Sequence, residues 1–142
     1  MRLIFYVFLI IQLQNILGVL GQKEREKSSQ LNPIKWEKVN EDTKGNTFYV
    51  DFERIRKHHG YVYWWQLVNY RKRDKWGFFS YQLYNQGDCN VIRVKTLTFV
   101  FHKKPMGGDI GRTEAPIGKN GDWRYPSPYT VDEAILRSLC SR

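Results

Sequence analysis

The segment YVYWWQLVNY, residues 61–70, carries the strongest β-strand signal in the chain. Aromatic and β-branched side chains of this kind are favoured on the pleated surface of a sheet. The charged run 71–75 (RKRDK) and the aromatic run 76–84 follow it, which predicts a hairpin with its tip at 71–75. Trp64 and Trp65 are neighbours in this strand and point to opposite faces. Both faces of the sheet are therefore expected to carry apolar rings.

Further strand patterns precede this hairpin. Residues 34–39 alternate apolar and polar side chains, which is the period of a half-buried strand. Residues 44–46 are typical of a turn, and residues 47–51 (TFYVD) form a second strand pattern. The segment 52–60 is predicted to be a turn or a short helix that ends at Gly60.

The chain after the hairpin is predicted to form one long strand and then extended loops. Residues 86–88 form the expected turn into a long, bent strand over 89–102. Residues 105–109 are typical of a turn, and residues 110–121 are poorly patterned and predicted to be rich in loops. Residues 123–129 are expected to be extended, because each proline biases the residue before it towards extended conformations.

A helix pattern lies at the C-terminal end. Thr130 and Glu133 match the capping box, in which a hydroxyl caps the helix and a carboxylate three residues later reaches back. An apolar stripe then repeats at three- and four-residue spacing: Val131, Ile135, Leu136, Leu139 and Cys140. Consecutive strands without helices between them favour an antiparallel sheet. The predicted fold class is α+β, mainly β, with an antiparallel sheet of five to six strands and this helix packed on one face.

Residues 1–21 have the pattern of a signal peptide. Arg2 is followed by a mostly apolar run over residues 3–20. Gly21 is the small residue expected before a cleavage site, so cleavage is predicted between Gly21 and Gln22. An uncleaved membrane anchor is the alternative, although three amide side chains in the apolar run weaken a spanning helix.

The remainder is predicted to be a flexible linker over 22–32, which is polar and free of aromatic residues, and a single domain over 33–142. The formal net charge is +9, and the loss of Arg2 with the signal peptide leaves +8. Basic charge with many aromatic rings also occurs in nucleic-acid-binding proteins, but export argues against that class. The charge is then either a solvated cationic surface or a contact for anionic glycans or lipid headgroups.

Cys89 and Cys140 are the two cysteines of the chain. An even cysteine count in an exported chain indicates a disulfide, because oxidising compartments preserve such bonds. The bond would close a loop of about 50 residues, which is worth roughly 3–4 kcal/mol in the loop-entropy model. It would connect the C-terminal helix to the middle of the sheet.

A series of short motifs extends over residues 34–140. They are Phe48-Tyr49-Val50-Asp51, Val62-Tyr63-Trp64 with Leu67 and Tyr70, Ser80, Asp88-Cys89 with Arg93, Met106-Gly107, Trp123, Pro126-Ser127 and Cys140. In order and spacing this series resembles the surface-adhesin protein E family of bacteria. The resemblance implies a curved antiparallel sheet, a C-terminal helix held to it by a disulfide between the two cysteines, and adhesion to host proteins. The family pattern has a second glycine two positions after Gly107, where this chain has Asp109, so a rebuilt turn is expected there.

The sequence shows no constellation typical of an enzyme or a metal site. His58 and His59 would point in opposite directions in a strand, and His102 is the third histidine. A Ser80 nucleophile would need a histidine held by a third group, and no such arrangement is evident in the sequence. The glycine-rich run 107–111 lacks the following helix that a phosphate loop needs. We expect no enzymatic activity, no metal and no cofactor.

The charged hairpin tip is the candidate contact for an anionic partner. Its members are Arg71, Lys72, Arg73, Lys75 and Trp76. Clustered cations beside a ring suit a glycan or a lipid headgroup, and they equally keep a hairpin soluble and unpaired. The rings that the helix leaves uncovered are either covered by long side chains and residues 110–129 or form a second binding patch.

These features predict a non-enzymatic exported protein with a binding, adhesion or structural role in the cell envelope. The expected partners are an envelope or extracellular protein, a glycan or another anionic surface, and not nucleic acid. The expected location is the periplasm, the cell surface or the medium, with no transmembrane segment in the mature chain. The alternative is a periplasmic carrier or sensor of a small apolar or anionic ligand in the concave face of the sheet.

Overall fold

The computed structural model describes residues 34–142. The predicted signal peptide (1–21) and linker (22–32) lie outside these residues. Within the described part of the chain, no helix combines the length and the apolar character that crossing a bilayer requires.

Residues 34–142 form an open antiparallel sheet of seven strands and one C-terminal α-helix. The strands are β1 (Glu37–Glu41), β2 (Thr47–Val50), β3 (Arg56–His58), β4 (Tyr61–Asn69), β5 (Ser80–Asp88), β6 (Arg93–His102) and β7 (Arg112–Glu114), and the helix is α1 (Val131–Ser141). The strand order is β1-β2-β4-β5-β6-β7, and β3 also pairs with β4. The predicted fold class is confirmed, with seven strands where five to six were expected.

Two short strands share one edge of β4. β2 pairs with residues 66–69 and β3 pairs with residues 61–63. A 3₁₀ turn over Phe52–Arg54 separates β2 from β3, and its capping residue Asp51 accepts a hydrogen bond from the Glu53 backbone N–H at 3.2 Å. The sequence predicted this turn but missed β3, because the three residues of β3 are all polar and exposed.

Three other strand boundaries differ from the predictions. β1 lies at Glu37–Glu41 instead of 34–39, and a bulge shifts its pairing with β2. β6 begins at Arg93 instead of residue 89, because residues 89–92 form the turn that joins it to β5. β7 is a three-residue strand inside the segment that was predicted to be loop.

The prediction for β5 was wrong at both ends. The strand runs over Ser80–Asp88, whereas the sequence predicted 76–84 followed by a turn at 86–88. Several buried positions of β5 carry polar side chains, so the strand lacks the apolar alternation of a half-buried strand. These side chains can be buried because neighbouring strands supply their hydrogen-bond partners, which the local sequence does not reveal. Buried Asn85, for example, accepts a hydrogen bond from Thr96 Oγ1 at 2.8 Å and donates one to Gln66 Oε1 at 3.4 Å.

The core lies between α1 and one half of one sheet face, here called the helix face. Ile135, Leu136 and Leu139 of α1 pack on this face in the predicted register. The buried side chains of the sheet that they contact are Val50, Val62, Trp64 and Val94. Because the helix is only eleven residues long, it leaves the other half of the helix face uncovered.

Gly87 explains how closely the helix approaches β5. A Cβ atom at this position would lie 2.4 Å from Leu136 Cδ1 and 3.0 Å from Trp64 Cζ3. Glycine inside a strand often marks such a close approach. The glycine that suggested a turn in the sequence is therefore a packing residue.

A disulfide and a capping box fix the two ends of α1. Cys89 and Cys140 are bonded with their Cα atoms 5.5 Å apart, which confirms the predicted bond. At the N-terminus, Thr130 Oγ1 accepts a hydrogen bond from the Glu133 backbone N–H, as predicted. Glu133 reaches back to the Tyr129 backbone N–H at 2.8 Å, one residue before the position that the capping-box pattern implies.

The segment before α1 returns along the outer edge of β6. Arg124 exchanges two backbone hydrogen bonds with Val94, each of 2.9 Å. The Trp123 ring stacks on Tyr61 at 5.9 Å between centroids, and the Arg93 guanidinium lies 4.6 Å from the same indole. The extended conformation predicted for residues 123–129 agrees with this bridge at Arg124 but is wrong at the end of the segment, where residues 128–129 form a turn and Tyr129 has a φ of +65°.

Candidate functional site

The uncovered half of the helix face carries an array of apolar and aromatic side chains, here called the aromatic surface. Its members are Val68, Tyr70, Trp76, Phe78, Tyr81, Leu83, Phe99 and Phe101. Strand register brings them together, since Val68 pairs with Tyr81 and Tyr81 pairs with Phe101. Two adjoining cavities of about 600 and 310 Å³ lie over these side chains.

The rings of the aromatic surface contact one another while part of the surface faces solvent. The centroids of Tyr81 and Phe101 lie 5.0 Å apart in an edge-to-face arrangement, and those of Phe78 and Phe101 lie 5.3 Å apart. Trp76 is 68% exposed, and Ile117 at the rim of the larger cavity is 82% exposed. The other six members are half-buried and Phe78 is buried. The surface is therefore a partly solvent-accessible apolar patch, a feature that often marks a binding site.

Arg112 places a cation beside the aromatic surface. Its guanidinium carbon lies 5.4 Å from the Phe78 centroid and 5.6 Å from the Phe101 centroid. These distances are within the range of cation–π attraction. The sequence alone does not indicate this position of Arg112, because only the pairing of β7 with β6 brings it to this face.

The predicted hairpin tip is a longer loop over residues 70–79, which Asp74 organises. Asp74 Oδ1 accepts hydrogen bonds from the backbone N–H groups of Trp76 and Phe78, each at 2.9 Å. The Tyr81 hydroxyl donates to Asp74 Oδ2. Burial, with a smaller effect from the charge of Asp74, raises the pKa of Tyr70. The carboxylate of Asp74, the acid within the run 71–75, is thus engaged in hydrogen bonds that organise the loop.

The structure divides the predicted cations into two groups. The Arg73 guanidinium lies 4.9 Å from the Phe79 centroid, and Lys75 Nζ lies 4.2 Å from the Trp76 centroid. Arg71 and Lys72 lie instead beside the β1–β2 turn. None of these four cations makes an ion pair with any residue of the described segment. Their contact with an anionic partner stays a prediction.

Lys44 lies close to Arg71 and Lys72, whereas its sequence pattern indicates only a turn over residues 44–46. The pairing of Thr47 with Asn69 brings the β1–β2 turn to the end of β4. Arg71 then donates its backbone N–H to Asn46 Oδ1 at 3.2 Å. Nothing in the local sequence around Lys44 indicates this neighbour, since it depends on strand pairing.

The structure does contain a histidine held by a carboxylate beside Ser80, which the sequence analysis did not foresee. Ser80 pairs with His102 across β5 and β6, and His102 Nδ1 lies 2.7 Å from Asp109 Oδ1. Ser80 Oγ, however, donates to the Lys104 carbonyl at 2.8 Å and accepts from the Gly107 N–H at 3.0 Å. Ser80 and His102 are both buried, and both hydrogen bonds of the hydroxyl hold the loop after β6.

The Asp109 side chain makes two hydrogen-bonded contacts within the turn after β6. Its second oxygen accepts a hydrogen bond from the Lys103 backbone N–H at 3.1 Å. The bond with His102, and to a smaller degree that with Lys103, lowers the pKa of Asp109 below its usual 3.8. The Asp109 side chain therefore holds the two ends of this turn together.

Asp109 should make the fold sensitive to acid. Because its folded pKa is lowered, its stabilising contribution is complete above the unfolded pKa of about 3.9 and is lost as pH falls through the lower folded value. We expect Asp109→Asn to lower the urea midpoint at about pH 7 and to have a smaller effect at about pH 2.5. Asp122→Asn is the matched control, since that exposed carboxylate makes no side-chain hydrogen bond or ion pair with a described residue. An equal decrease in the urea midpoint of Asp109→Asn at both pH values would contradict the proposed acid sensitivity.

His58 and His59 lie at the end of β3 and in the following turn. Between residues 34 and 142, no group of three or more His, Cys, Asp or Glu side chains could hold a metal ion.

The sequence pattern of the surface-adhesin protein E family matches residues 36–141. The chain belongs to this family. No curated protein matches the chain.

Solved structures of Haemophilus influenzae protein E share the fold. A second crystal form of that protein is 16% identical, with a TM-score of 0.55 over 77% of this chain and 92% of the other. Its selenomethionine form is 18% identical, with a TM-score of 0.54 over 77% of this chain and 91% of the other. Identity this low shows a common fold, and family membership supports an adhesin-like surface protein.

Proposed function

We propose that this protein is a non-enzymatic, exported binding protein that contacts an envelope or extracellular partner through the aromatic surface. The observation that carries the proposal is a half sheet face of contacting rings that α1 does not cover. Residues 71–76, here called the cationic loop, adjoin this surface at Trp76, where Lys75 Nζ lies 4.2 Å from the ring centroid. The four cations of the loop make no ion pair with a described acid. Aromatic anchors with nearby cations are the side chains that dominate protein interfaces.

Membership in a family of surface adhesins supports export and exposure at the cell surface. The predicted signal peptide supports export independently. A tagged copy that fractionates with the cell surface and is removed by protease added to intact cells would agree with this location. A copy protected until the outer membrane is opened would contradict it.

Retention of intact cells on a basement-membrane extract tests the proposed function. We expect Trp76→Ala, and separately the exchange of the four loop cations for Gln, each to reduce retention about tenfold, the effect of losing an interface hot spot. The cation variant changes Arg71, Lys72, Arg73 and Lys75. A control variant removes the same charge from Arg56 and Lys57 of β3 and from Arg137 and Arg142 at α1, which are exposed outside the loop. Unchanged retention for both test variants, or equal loss in the control, would refute the proposal.

The alternative is a carrier or sensor of a small apolar or anionic ligand. The cavity of about 600 Å³ over Phe78, Phe99 and Phe101, with Arg112 at its side, favours it, because small-molecule sites have volumes of about 300–1,000 Å³. A thermal-shift screen with fatty acids and aromatic carboxylates separates the two functions. A ligand that raises the melting temperature of the parent protein but not of an Arg112→Gln variant would support the carrier.

A further inference from the structure

A second concave site lies at the end of the sheet, outside the aromatic surface. Lys44, Asn46, Arg71 and Lys72 line a cavity of about 410 Å³, here called the cationic pocket. Hydrogen bonds fix its two walls to each other. Arg71 donates its backbone N–H to Asn46 Oδ1, and Asn46 donates its own backbone N–H to Asp42 Oδ1 at 2.9 Å. The pocket is therefore organised before any ligand binds.

Gly45 lets the Arg71 side chain lie across the β1–β2 turn. A Cβ atom at Gly45 would lie 3.1 Å from Arg71 Cδ, and the residue has a φ of +80°. Both the positive φ and the close approach favour glycine at this position. The turn thus holds the stem of Arg71 beside Lys44.

The pocket has three cations against the carboxylate of Asp42 in the same turn, so its net charge is positive. Lys44, Arg71 and Lys72 make no ion pair with a residue between 34 and 142. Asp42, the acid of the same turn, accepts hydrogen bonds from the backbone N–H groups of Lys44 and Asn46 and from Asn46 Nδ2. Its carboxylate is engaged within the turn. Three like charges held at one cavity repel one another, and a bound anion relieves that repulsion.

We infer that the cationic pocket binds a sulfate group of an acidic polysaccharide, whose neighbouring sugar rings lie on the aromatic surface. This inference deepens the proposed function and rests on it. The guanidinium and ammonium donors suit an anion with several oxygens, and the cavity is large enough for the sugar ring that carries the anion. Tyr70 lines the aromatic surface and directly precedes Arg71 of the pocket. A continuous polymer can therefore contact both sites.

Binding of the full-length protein to immobilised heparin, a sulfated polysaccharide, tests the inference. Lys44→Gln is the decisive variant, because Lys44 belongs to the pocket but not to the cationic loop. We expect it to weaken binding about threefold or more at physiological salt, and the triple Gln variant of Lys44, Arg71 and Lys72 to weaken it about tenfold or more. Lys57→Gln removes the same charge from exposed β3 and should change binding less than about twofold.

Two further probes identify the anion and its source. The parent protein should bind desulfated heparin no more tightly than the triple variant binds heparin. Vesicles containing phosphatidylglycerol should bind far less than heparin at the same salt. Equal effects of Lys44→Gln and Lys57→Gln, equal binding of desulfated heparin, preferential vesicle binding, or no binding of heparin would each overturn the inference. Cell retention on basement-membrane extract is scored separately, so a failure of the proposed function is distinguishable from a failure of the pocket.

Discussion

Replacement of both Cys89 and Cys140 with alanine should lower the free energy of unfolding by about 2–5 kcal/mol. The bond joins residues 51 positions apart in sequence, and a loop of that size restricts the unfolded chain substantially. It also holds the last turn of an eleven-residue helix, which would be marginal in isolation. Urea denaturation of the oxidised parent and the double variant measures the difference.

The parent protein under reducing conditions serves as the control. Its urea midpoint should fall close to that of the double variant, because both lack the cross-link and differ in packing only at the two partly buried cysteine side chains. A double variant as stable as the oxidised parent would show that the packing of Leu136 and Leu139 holds α1 without the bond. A partial loss of helix signal before the main transition would show that α1 leaves the sheet first.

The features that the sequence predicted are those with a strong local pattern. β4 consists of alternating rings and branched side chains, and α1 has a capping box and an apolar stripe, so both were placed within one or two residues. The disulfide followed from the cysteine count and the predicted compartment. β3 and β7 have three residues each, with no apolar period, and they exist because an edge of β4 or β6 is available to pair with them.

The candidate site was less predictable because it is built from distant segments. The sequence identified the cationic loop and the surplus of rings. It could not show that Lys44 joins Arg71, or that Arg112 lies beside Phe78, since these contacts depend on the pairing of β2 with β4 and of β7 with β6. The contact between His102 and Asp109 depends similarly on the path of the loop after β6.

Gly87 allows a second stability prediction with a large effect. Gly87→Ala should lower the free energy of unfolding by about 1–3 kcal/mol, because the added methyl group overlaps Leu136 Cδ1. Leu136→Ala should cost about 2–5 kcal/mol, because the side chain is fully buried. Urea denaturation of each variant, at constant pH and with the disulfide intact, gives both values.

The double variant Gly87→Ala/Leu136→Ala decides whether the glycine is a packing residue. Leu136→Ala removes the atoms that the new methyl group would overlap. The double variant should therefore lose less unfolding free energy than the two single variants lose together, by about 1 kcal/mol or more. Leu139→Ala is the matched control, since Leu139 is equally buried in α1 but is not among the nearest atoms to a Gly87 methyl group. Losses that add in both cycles would mean that the cost of the methyl group comes from its other neighbours, Trp64 and Val62, and not from the approach of the helix.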